Sequence, residues 1–312
     1  MSPAPSTRRP GLAPPAARQG PGRMPPALVD ALDLVVARRA AGALPGDRRA
    51  AGMGTGTELA QLRPYEIGDD VRQIDAGATA RTGQPHVKLH VPERTLTTWL
   101  VLDTSPSMAF GTAERLKADV AEGVALVLGR LAIRRAGRLA LVTFGSGRPR
   151  LLPPRGSRPA FVALRRALAE GVSTDGHADA EGLSHALIRT AKVAAQPGFV
   201  VVVSDFRGPF DWRPPLLELL GRHDLVAIEV RDPRELELPN VGELWLVDPE
   251  TGRQVRVNTR STKLRERFAE AARRERGAVA RELRSVGVRH LVLGTAGPWL
   301  RELAAFLRRD WT

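Results

Sequence analysis

The sequence predicts an α/β fold with a mainly parallel central sheet and helices on both of its faces. From residue 97 onward, short apolar runs rich in β-branched residues alternate with amphipathic stretches of helical length. This alternation is typical of βαβ units, because parallel strands need long crossover connections, which helices usually supply. A second observation concerns the strand ends, since two of the apolar runs stop at an acid, Asp103 and Asp205. The predicted strands span residues 99–102, 139–144, 199–203, 225–230 and 290–293.

Helical periodicity falls between and after these strands. The predicted helices span residues 113–135, 158–169, 181–194, 214–222, 262–286 and 298–309. The segment 248–252, Asp-Pro-Glu-Thr-Gly, is a turn sequence between two short apolar runs and predicts a hairpin near 243–258. We therefore expect one domain over 97–312 that carries this hairpin as an insertion.

The region before residue 97 divides into two parts. Residues 1–26 are rich in proline and poor in large apolar side chains, which predicts a disordered tail. Residues 27–96 begin with an amphipathic helix over 27–41, followed by a segment dense in glycine and charge and a strand over 86–91. The glycines lack a following Gly-Lys-Ser/Thr, which argues against a phosphate-binding loop. We expect an ion-pair lattice instead, formed by Arg63, Asp69, Asp70, Arg72, Asp75 and Arg81.

Composition excludes several classes of function. The 312 residues include no cysteine, which excludes disulfides, thiolate metal sites and cysteine nucleophiles. A hydrophobic content of 43% is ordinary for a globular protein, and no apolar run approaches the length needed to span a bilayer. The first 26 residues also lack the apolar centre of a secretory signal, so we expect a cytoplasmic protein.

The chain is strongly basic, with 47 Lys and Arg against 34 Asp and Glu, a net charge of +13 and a pI near 11.3. Only Lys88, Lys117, Lys192 and Lys263 are lysines, and this arginine bias is typical of a GC-rich genome. We therefore expect attraction to acidic protein surfaces or anionic membranes in preference to nucleic acid. The helix over 260–284 is the most basic stretch, and pairs such as Glu270 with Arg274 predict a solvated face.

The segment 103–107 has the pattern of a cation-binding loop. Asp103, Ser105 and Ser107 alternate directly after a predicted strand, and Asp205 ends another strand in the same way. Parallel sheets place ligands at the carboxyl ends of their strands, and Mg²⁺ prefers oxygen ligands. The alternative interpretation of the segment is a helix cap or Ser/Thr turn ahead of the predicted helix at Ala113.

These residues resemble two known patterns. Asp103-x-Ser105-x-Ser107 with a distant Asp205 resembles the metal-ion-dependent adhesion site, or MIDAS, of von Willebrand factor A domains. The flanking segments 62–75, 80–81, 93–94 and 248–252 resemble the bacterial domain-of-unknown-function family numbered 58, over roughly residues 50–310. Ala76 departs from that family, which has a tryptophan after Ile-Asp.

The resemblance implies a Rossmann-like von Willebrand factor A-type domain after a family-specific segment. It implies a non-enzymatic adaptor or co-chaperone that works with a MoxR-type AAA+ ATPase. It also implies a site for Mg²⁺, or another divalent cation such as Mn²⁺, made by Asp103, Ser105, Ser107 and Asp205. The usual threonine ligand has Thr174 as its nearest candidate, with Asp179 or a water as substitutes.

Three functions follow from these observations. The first is a metal-dependent protein-interaction module whose cation binds a carboxylate of an acidic partner. The second is a magnesium-dependent phosphoryl-transfer or hydrolytic enzyme with Asp103 as nucleophile, although Ser105 stands where haloacid-dehalogenase-like phosphatases have a second aspartate. The third is a basic protein that binds nucleic acid or a membrane surface. A serine hydrolase is disfavoured because Ser105 and Ser107 lie in no Gly-x-Ser-x-Gly motif.

Overall fold

A computed structural model describes residues 58–91, 96–134, 136–145, 149–172 and 181–309 of the chain. Several predictions lie outside these residues, namely the tail over 1–26, the helix over 27–41, the glycine-rich stretch over 52–57, the pair at 93–94 and the candidate ligands Thr174 and Asp179.

The described residues form one six-stranded sheet and two separate hairpins. The strands are β1 (Glu58–Pro64), β2 (His86–Val91), β3 (Thr97–Asp103), β4 (Arg138–Phe144), β5 (Leu151–Gly156), β6 (Phe199–Ser204), β7 (Asp224–Arg231), β8 (Glu243–Val247), β9 (Gln254–Asn258) and β10 (Arg289–Gly294). The α-helices are α1 (Ala76–Thr82), α2 (Lys117–Arg134), α3 (Ser157–Ala169), α4 (Gly182–Val193), α5 (Arg213–Leu220), α6 (Thr262–Ser285) and α7 (Trp299–Arg309).

The large sheet has the order β10-β7-β6-β3-β4-β5. All neighbours in it are parallel except the antiparallel pair β4–β5. The chain enters this sheet at the central strand β3 and continues outward through β4 and β5. It then returns to β6, which lies on the other side of β3. This reversal of direction next to β3 is the topological switch point where open α/β sheets bind their ligands.

Two apolar layers enclose the sheet, because successive strand residues point to opposite faces. Leu100 and Leu102 of β3 pack into one core cluster with α2, α3 and α7. Trp99 and Val101 pack into the other cluster with α4, α5 and α6. The predicted mainly parallel sheet with helices on both faces is thus confirmed. Among the described helices, none is both long and apolar enough to cross a membrane.

Two elements of the large sheet region differ from the prediction. The edge strand β5 was not predicted, because Pro153 and Pro154 interrupt its pattern, yet an edge strand tolerates proline since one side of its backbone needs no partner. Helix α2 begins at Lys117, not at the predicted Ala113. The residues before it are held in a loop by Asp232, whose carboxylate accepts hydrogen bonds from Thr112 N at 2.7 Å and Thr112 Oγ1 at 2.5 Å.

The segment before the large sheet folds as the hairpin β1–β2 with α1 between its strands. The predicted ion-pair lattice is confirmed for Arg63 and Asp69, whereas two other predicted members have different partners. Arg63 does pair with Asp69 at 2.7 Å, but Asp75 pairs with Lys88 at 2.7 Å and caps α1 by accepting a hydrogen bond from Ala78 N. The remaining carboxylate, at position 70, caps a 3-10 turn. Capping satisfies helix N–H groups that have no partner within the helix.

Candidate metal-binding site

The predicted ligands lie at the carboxyl ends of two adjacent central strands. Asp103 ends β3 and Asp205 directly follows β6, and these strands pair in parallel from Thr98–Phe199 to Leu102–Val203. Ser105 and Ser107 follow Asp103 in a 3-10 turn over Pro106–Ala109. Exposed fractions are 5% for Asp103 and 2% for Asp205. The structure therefore brings together all the predicted site residues that it describes.

Local hydrogen bonds fix the loop after β3. The Ser105 backbone N–H donates to Asp103 Oδ1 at 2.9 Å, and Ser105 Oγ lies 3.0 Å from Ser107 Oγ. Ser204 Oγ donates to the other carboxylate oxygen, Asp103 Oδ2, at 2.6 Å. Ser105 precedes the 3-10 turn but its side chain makes no capping hydrogen bond. The alternative interpretation as a cap for a helix at Ala113 is thus wrong, whereas its other form, a turn, agrees with the 3-10 turn and with the bond from Ser105 N to Asp103 Oδ1. The two serine hydroxyls face each other within this turn.

The position of Asp205 is fixed by a strained turn. Phe206 has a left-handed φ of 52°, which costs a residue with a Cβ about 1–2 kcal/mol. Its ring packs edge-on against Trp212 with centroids 5.9 Å apart, and its N–H donates to Ser204 Oγ at 3.0 Å. These contacts offset the strain. They hold the carboxylate of Asp205 beside β3, where the sheet ends.

A lysine that the sequence analysis did not place in the site binds Asp205. Lys117, at the start of α2, is fully buried, and its Nζ lies 2.6 Å from Asp205 Oδ2 and 2.6 Å from Glu235 Oε1. Its ammonium also lies 6.0 Å from the centroid of the Phe110 ring. A buried charge requires paired partners, and here two carboxylates supply them.

The ion pairs continue away from Lys117 toward β7 and α6. Arg276 donates from Nη1 to the backbone oxygen of Asp205 at 2.7 Å and lies 3.2 Å from Glu229 Oε1. Its Nη2 lies 3.6 Å from Glu235 Oε2, and the half-exposed Arg207 lies 3.2 Å from Glu235 Oε1. Arg276 belongs to the basic helix that the sequence analysis expected to be a solvated face. The positive charge of Arg276 is therefore paired within the site and does not face solvent.

Burial and charge act in opposite directions on the two aspartates. Burial, followed by the negative charge of Asp205, raises the pKa of Asp103 to about 6. Burial alone would raise the pKa of Asp205 as well, but the adjacent Lys117 ammonium holds it below the usual range. Glu250, in the turn between β8 and β9, has its pKa raised by burial and by the negative charge of Asp205. The hairpin turn thus lies near the same edge of the sheet.

The donor set fits a hard divalent cation. It consists of oxygen atoms alone, from the Asp103 carboxylate, the Ser105 and Ser107 hydroxyls and the Asp205 carboxylate, and Mg²⁺ prefers such ligands while retaining waters. Among the described residues, no three carboxylate or imidazole groups converge on one point, so a cation here would depend on the hydroxyls. Lys117 already binds the Asp205 carboxylate. We therefore expect Asp205 to contact a cation through a bridging water and not as a direct ligand.

Sequence reasoning missed Lys117, Glu235, Arg207 and Arg276, which lie far apart in the chain. One signal could have found the lysine. In a chain with only four lysines among 47 basic residues, Lys117 stands in an apolar helical stretch. A compact ammonium fits between two buried carboxylates where a planar guanidinium needs more room.

Comparison with known proteins identifies the family. The family described as protein of unknown function DUF58 matches residues 61–278. The chain belongs to this DUF58 family. An uncharacterized protein of Mycobacterium tuberculosis H37Rv, Rv1480, is 38% identical over 278 residues, which cover 88% of this DUF58 protein and 86% of the relative. The uncharacterized protein MAV169 of Mycobacterium avium is 43% identical over 111 residues, covering 36% of this chain and 65% of the relative.

Two solved structures share similarity with this DUF58 protein. The conserved hypothetical protein BatB from Bacteroides thetaiotaomicron has a TM-score of 0.44 and 12% identity, covering 69% of this chain and 98% of BatB. The SpRpn10 VWA domain has a TM-score of 0.37 and 13% identity, covering 67% of this chain and 93% of that domain.

Proposed function

We propose that this DUF58 protein is a non-enzymatic protein-interaction module that binds an acidic partner through a divalent cation held at the candidate site. The fold suggests a protein-interaction module. The observation that supports a bound cation is the convergence of Asp103, Ser105 and Ser107 at the switch point of the sheet, where the two serine hydroxyl oxygens lie 3.0 Å apart. In this position the oxygens face the carboxyl edge, where loops of several strands meet.

Each residue of the site has a separate role in this proposal. Asp103 supplies the negative charge, and its oxygens are oriented by Ser204 and by the Ser105 backbone. The Ser105 and Ser107 hydroxyls supply neutral oxygen ligands, and Asp205 contributes through water. When bound, Mg²⁺ or Mn²⁺ would offer an open coordination position to a carboxylate of the partner protein.

The partner is proposed from charge and from the family resemblance. A net charge of +13 attracts acidic surfaces during encounter and raises association rates. The resemblance favours a MoxR-type AAA+ ATPase as that partner, with the DUF58 protein as its adaptor or co-chaperone toward a client protein.

The enzymatic alternative has one observation in its favour, a lysine beside the second acid. The Lys117 ammonium is, however, bound by Asp205 and Glu235 at 2.6 Å each. Both oxygens of Asp103 accept hydrogen bonds within the fold, from Ser105 N and Ser204 Oγ. These contacts favour a charge-balanced binding site over an activated nucleophile, and we therefore propose no catalytic residue.

Affinity purification with the MoxR-type ATPase tests the proposal. The wild-type chain should retain the ATPase in Mg²⁺ and lose it in EDTA, whereas Asp103→Ala should lose it in both conditions. Glu266→Ala serves as a matched control, because Glu266 is an exposed acid on α6. Retention of the ATPase at an undiminished level by Asp103→Ala and in EDTA would show that no cation bridges the two proteins.

A further inference from the structure

The candidate site contains a positive charge of its own. The Lys117 side chain is 1% exposed, and its Nζ lies within 2.6 Å of both Asp205 Oδ2 and Glu235 Oε1. Short contacts of this kind mark charge-assisted hydrogen bonds, which are stronger than neutral ones. The ammonium therefore occupies the side of Asp205 that faces α2, within the site and not at its rim.

The carboxylates around Lys117 have basic partners within the fold. Three carboxylates, from Asp205, Glu229 and Glu235, are ion-paired with Lys117 and with arginines 207, 231 and 276. His290 Nε2 also lies 3.0 Å from Glu229 Oε2. A site built of unpaired carboxylates would need a metal to relieve their repulsion, whereas each of these three carboxylates already has a basic partner.

We infer that Lys117 is a built-in counter-cation that balances Asp205 in the absence of metal and weakens the binding of divalent cations at the site. This inference rests on the proposed function and deepens it. Like charges repel strongly at short range in a protein interior, so a cation bound beside Asp205 meets the fixed ammonium. The loops at the carboxyl edge consequently keep their structure without metal, and occupancy follows the free cation concentration.

Magnesium titration calorimetry on the full-length chain tests this role. Lys117→Met should bind Mg²⁺ at least about tenfold more tightly than the wild type, because one positive charge near the cation is removed. The matched control is Lys192→Met, since Lys192 is an exposed lysine on α4, and its affinity should equal that of the wild type. Equal or weaker Mg²⁺ binding by Lys117→Met would overturn the inference.

Lys117→Met leaves two buried carboxylates short of a partner and could fail to fold, so a second variant and a second measurement are included. Lys117→Met/Glu235→Gln removes one charge of each sign, and the glutamine can still accept the hydrogen bond from Asp232 N that now reaches Glu235 Oε2 at 3.0 Å. It should also bind Mg²⁺ more tightly than the wild type, but by a smaller factor than Lys117→Met, because a negative charge is removed together with the positive one. Independently, EDTA should leave the melting temperature of the wild-type chain unchanged, and loss of its cooperative unfolding in EDTA would overturn the inference.

These measurements separate the inference from the proposed function. Mg²⁺ binding that disappears in Asp103→Ala but is unchanged in both Lys117 variants would contradict the counter-cation role of Lys117 and leave the proposed cation site standing. Absence of detectable Mg²⁺ binding in the wild type and in both Lys117 variants would contradict both the proposed cation site and the role of Lys117. Binding detected only in the Lys117 variants would support the inference and place the wild-type affinity below the range of the titration.

Discussion

Substituting Gly145 tests whether the close approach of two strand ends maintains the candidate site. Gly145 directly follows β4 and has a left-handed φ of +82°. A Cβ at this position would lie 2.7 Å from Ser105 Cβ, 2.8 Å from Ser105 N and 2.9 Å from Asp103 Oδ1. Carbon atoms in favourable contact are about 3.5–4.0 Å apart, so Gly145→Ala must displace the loop that carries the proposed ligands.

The magnitude follows from two separate costs. A left-handed conformation costs an L-residue about 1–2 kcal/mol, and inserting a methyl group into a closely packed site costs about 1–3 kcal/mol. Gly145→Ala should therefore reduce the free energy of unfolding by about 2–5 kcal/mol. Gly297→Ala is a matched control, because Gly297 has a φ of +78° but no atom within 4 Å of the added Cβ. This control should lose only the conformational part, about 1–2 kcal/mol.

Urea unfolding followed by tryptophan fluorescence measures both variants, since Trp99 and Trp212 are buried and report on the core. Magnesium titration of the same samples measures the site, and Gly145→Ala should bind Mg²⁺ more weakly than Gly297→Ala. Equal unfolding free energies for the two variants would refute the argument that Gly145 is required for close packing against Ser105 and Asp103.

Other expected outcomes concern buried polar groups. Arg276→Met should lower the free energy of unfolding by about 3 kcal/mol in urea titrations, because it removes buried charge-assisted hydrogen bonds to the Asp205 backbone oxygen and to Glu229, and a loss below 1 kcal/mol would count against a structural role for the network. Asp232→Ala should cost about 3 kcal/mol by the same assay, since this buried carboxylate accepts hydrogen bonds from Thr112, Thr295 and Arg234. His223 is buried with both ring nitrogens unpartnered among the described residues, and burial lowers its pKa below 6.5. The unfolded chain then takes up a proton that the folded chain does not, so the contribution of His223 to stability should fall as pH drops through about 6.5. The raised pKa of Asp103 acts in the opposite direction over the same range. The measurement is therefore the difference between variants in thermal melts from pH 7.5 to 5.5, where His223→Leu should lose less stability than the wild type.

Local patterns were sufficient for most of the fold. The five predicted strands all appear as β3, β4, β6, β7 and β10. The first four contain long apolar runs that are buried on both faces of the sheet, whereas β10 lies at its edge and is partly exposed. The hairpin β8–β9 also lies where its turn sequence predicts it. Edge and boundary features were harder to predict. Strand β5 depends on pairing with β4, and the start of α2 depends on hydrogen bonds to Asp232 from 120 residues away in the chain.

The candidate site shows the same division. Asp103, Ser105, Ser107 and Asp205 could be identified because strand-then-acid patterns are local and because parallel strands end at one edge. Their ion partners could not, since Glu235, Arg207 and Arg276 each reach the site from a different loop or helix. Position 174, the candidate for the threonine ligand, lies outside the described residues and stays a prediction.

By itself, the sequence determined the α/β class, the positions of the main strands along the chain and the acid-and-hydroxyl loop after β3, since these depend on residue patterns within a few positions. Only the tertiary structure decided that Lys117 binds Asp205. That contact joins residues 88 positions apart, and its energy depends on burial and on the distance between two charges, which no local pattern encodes. In the sequence, the loop over 103–107 resembles a metal site. In the folded chain it lies beside Asp205, whose carboxylate is already paired with the Lys117 ammonium.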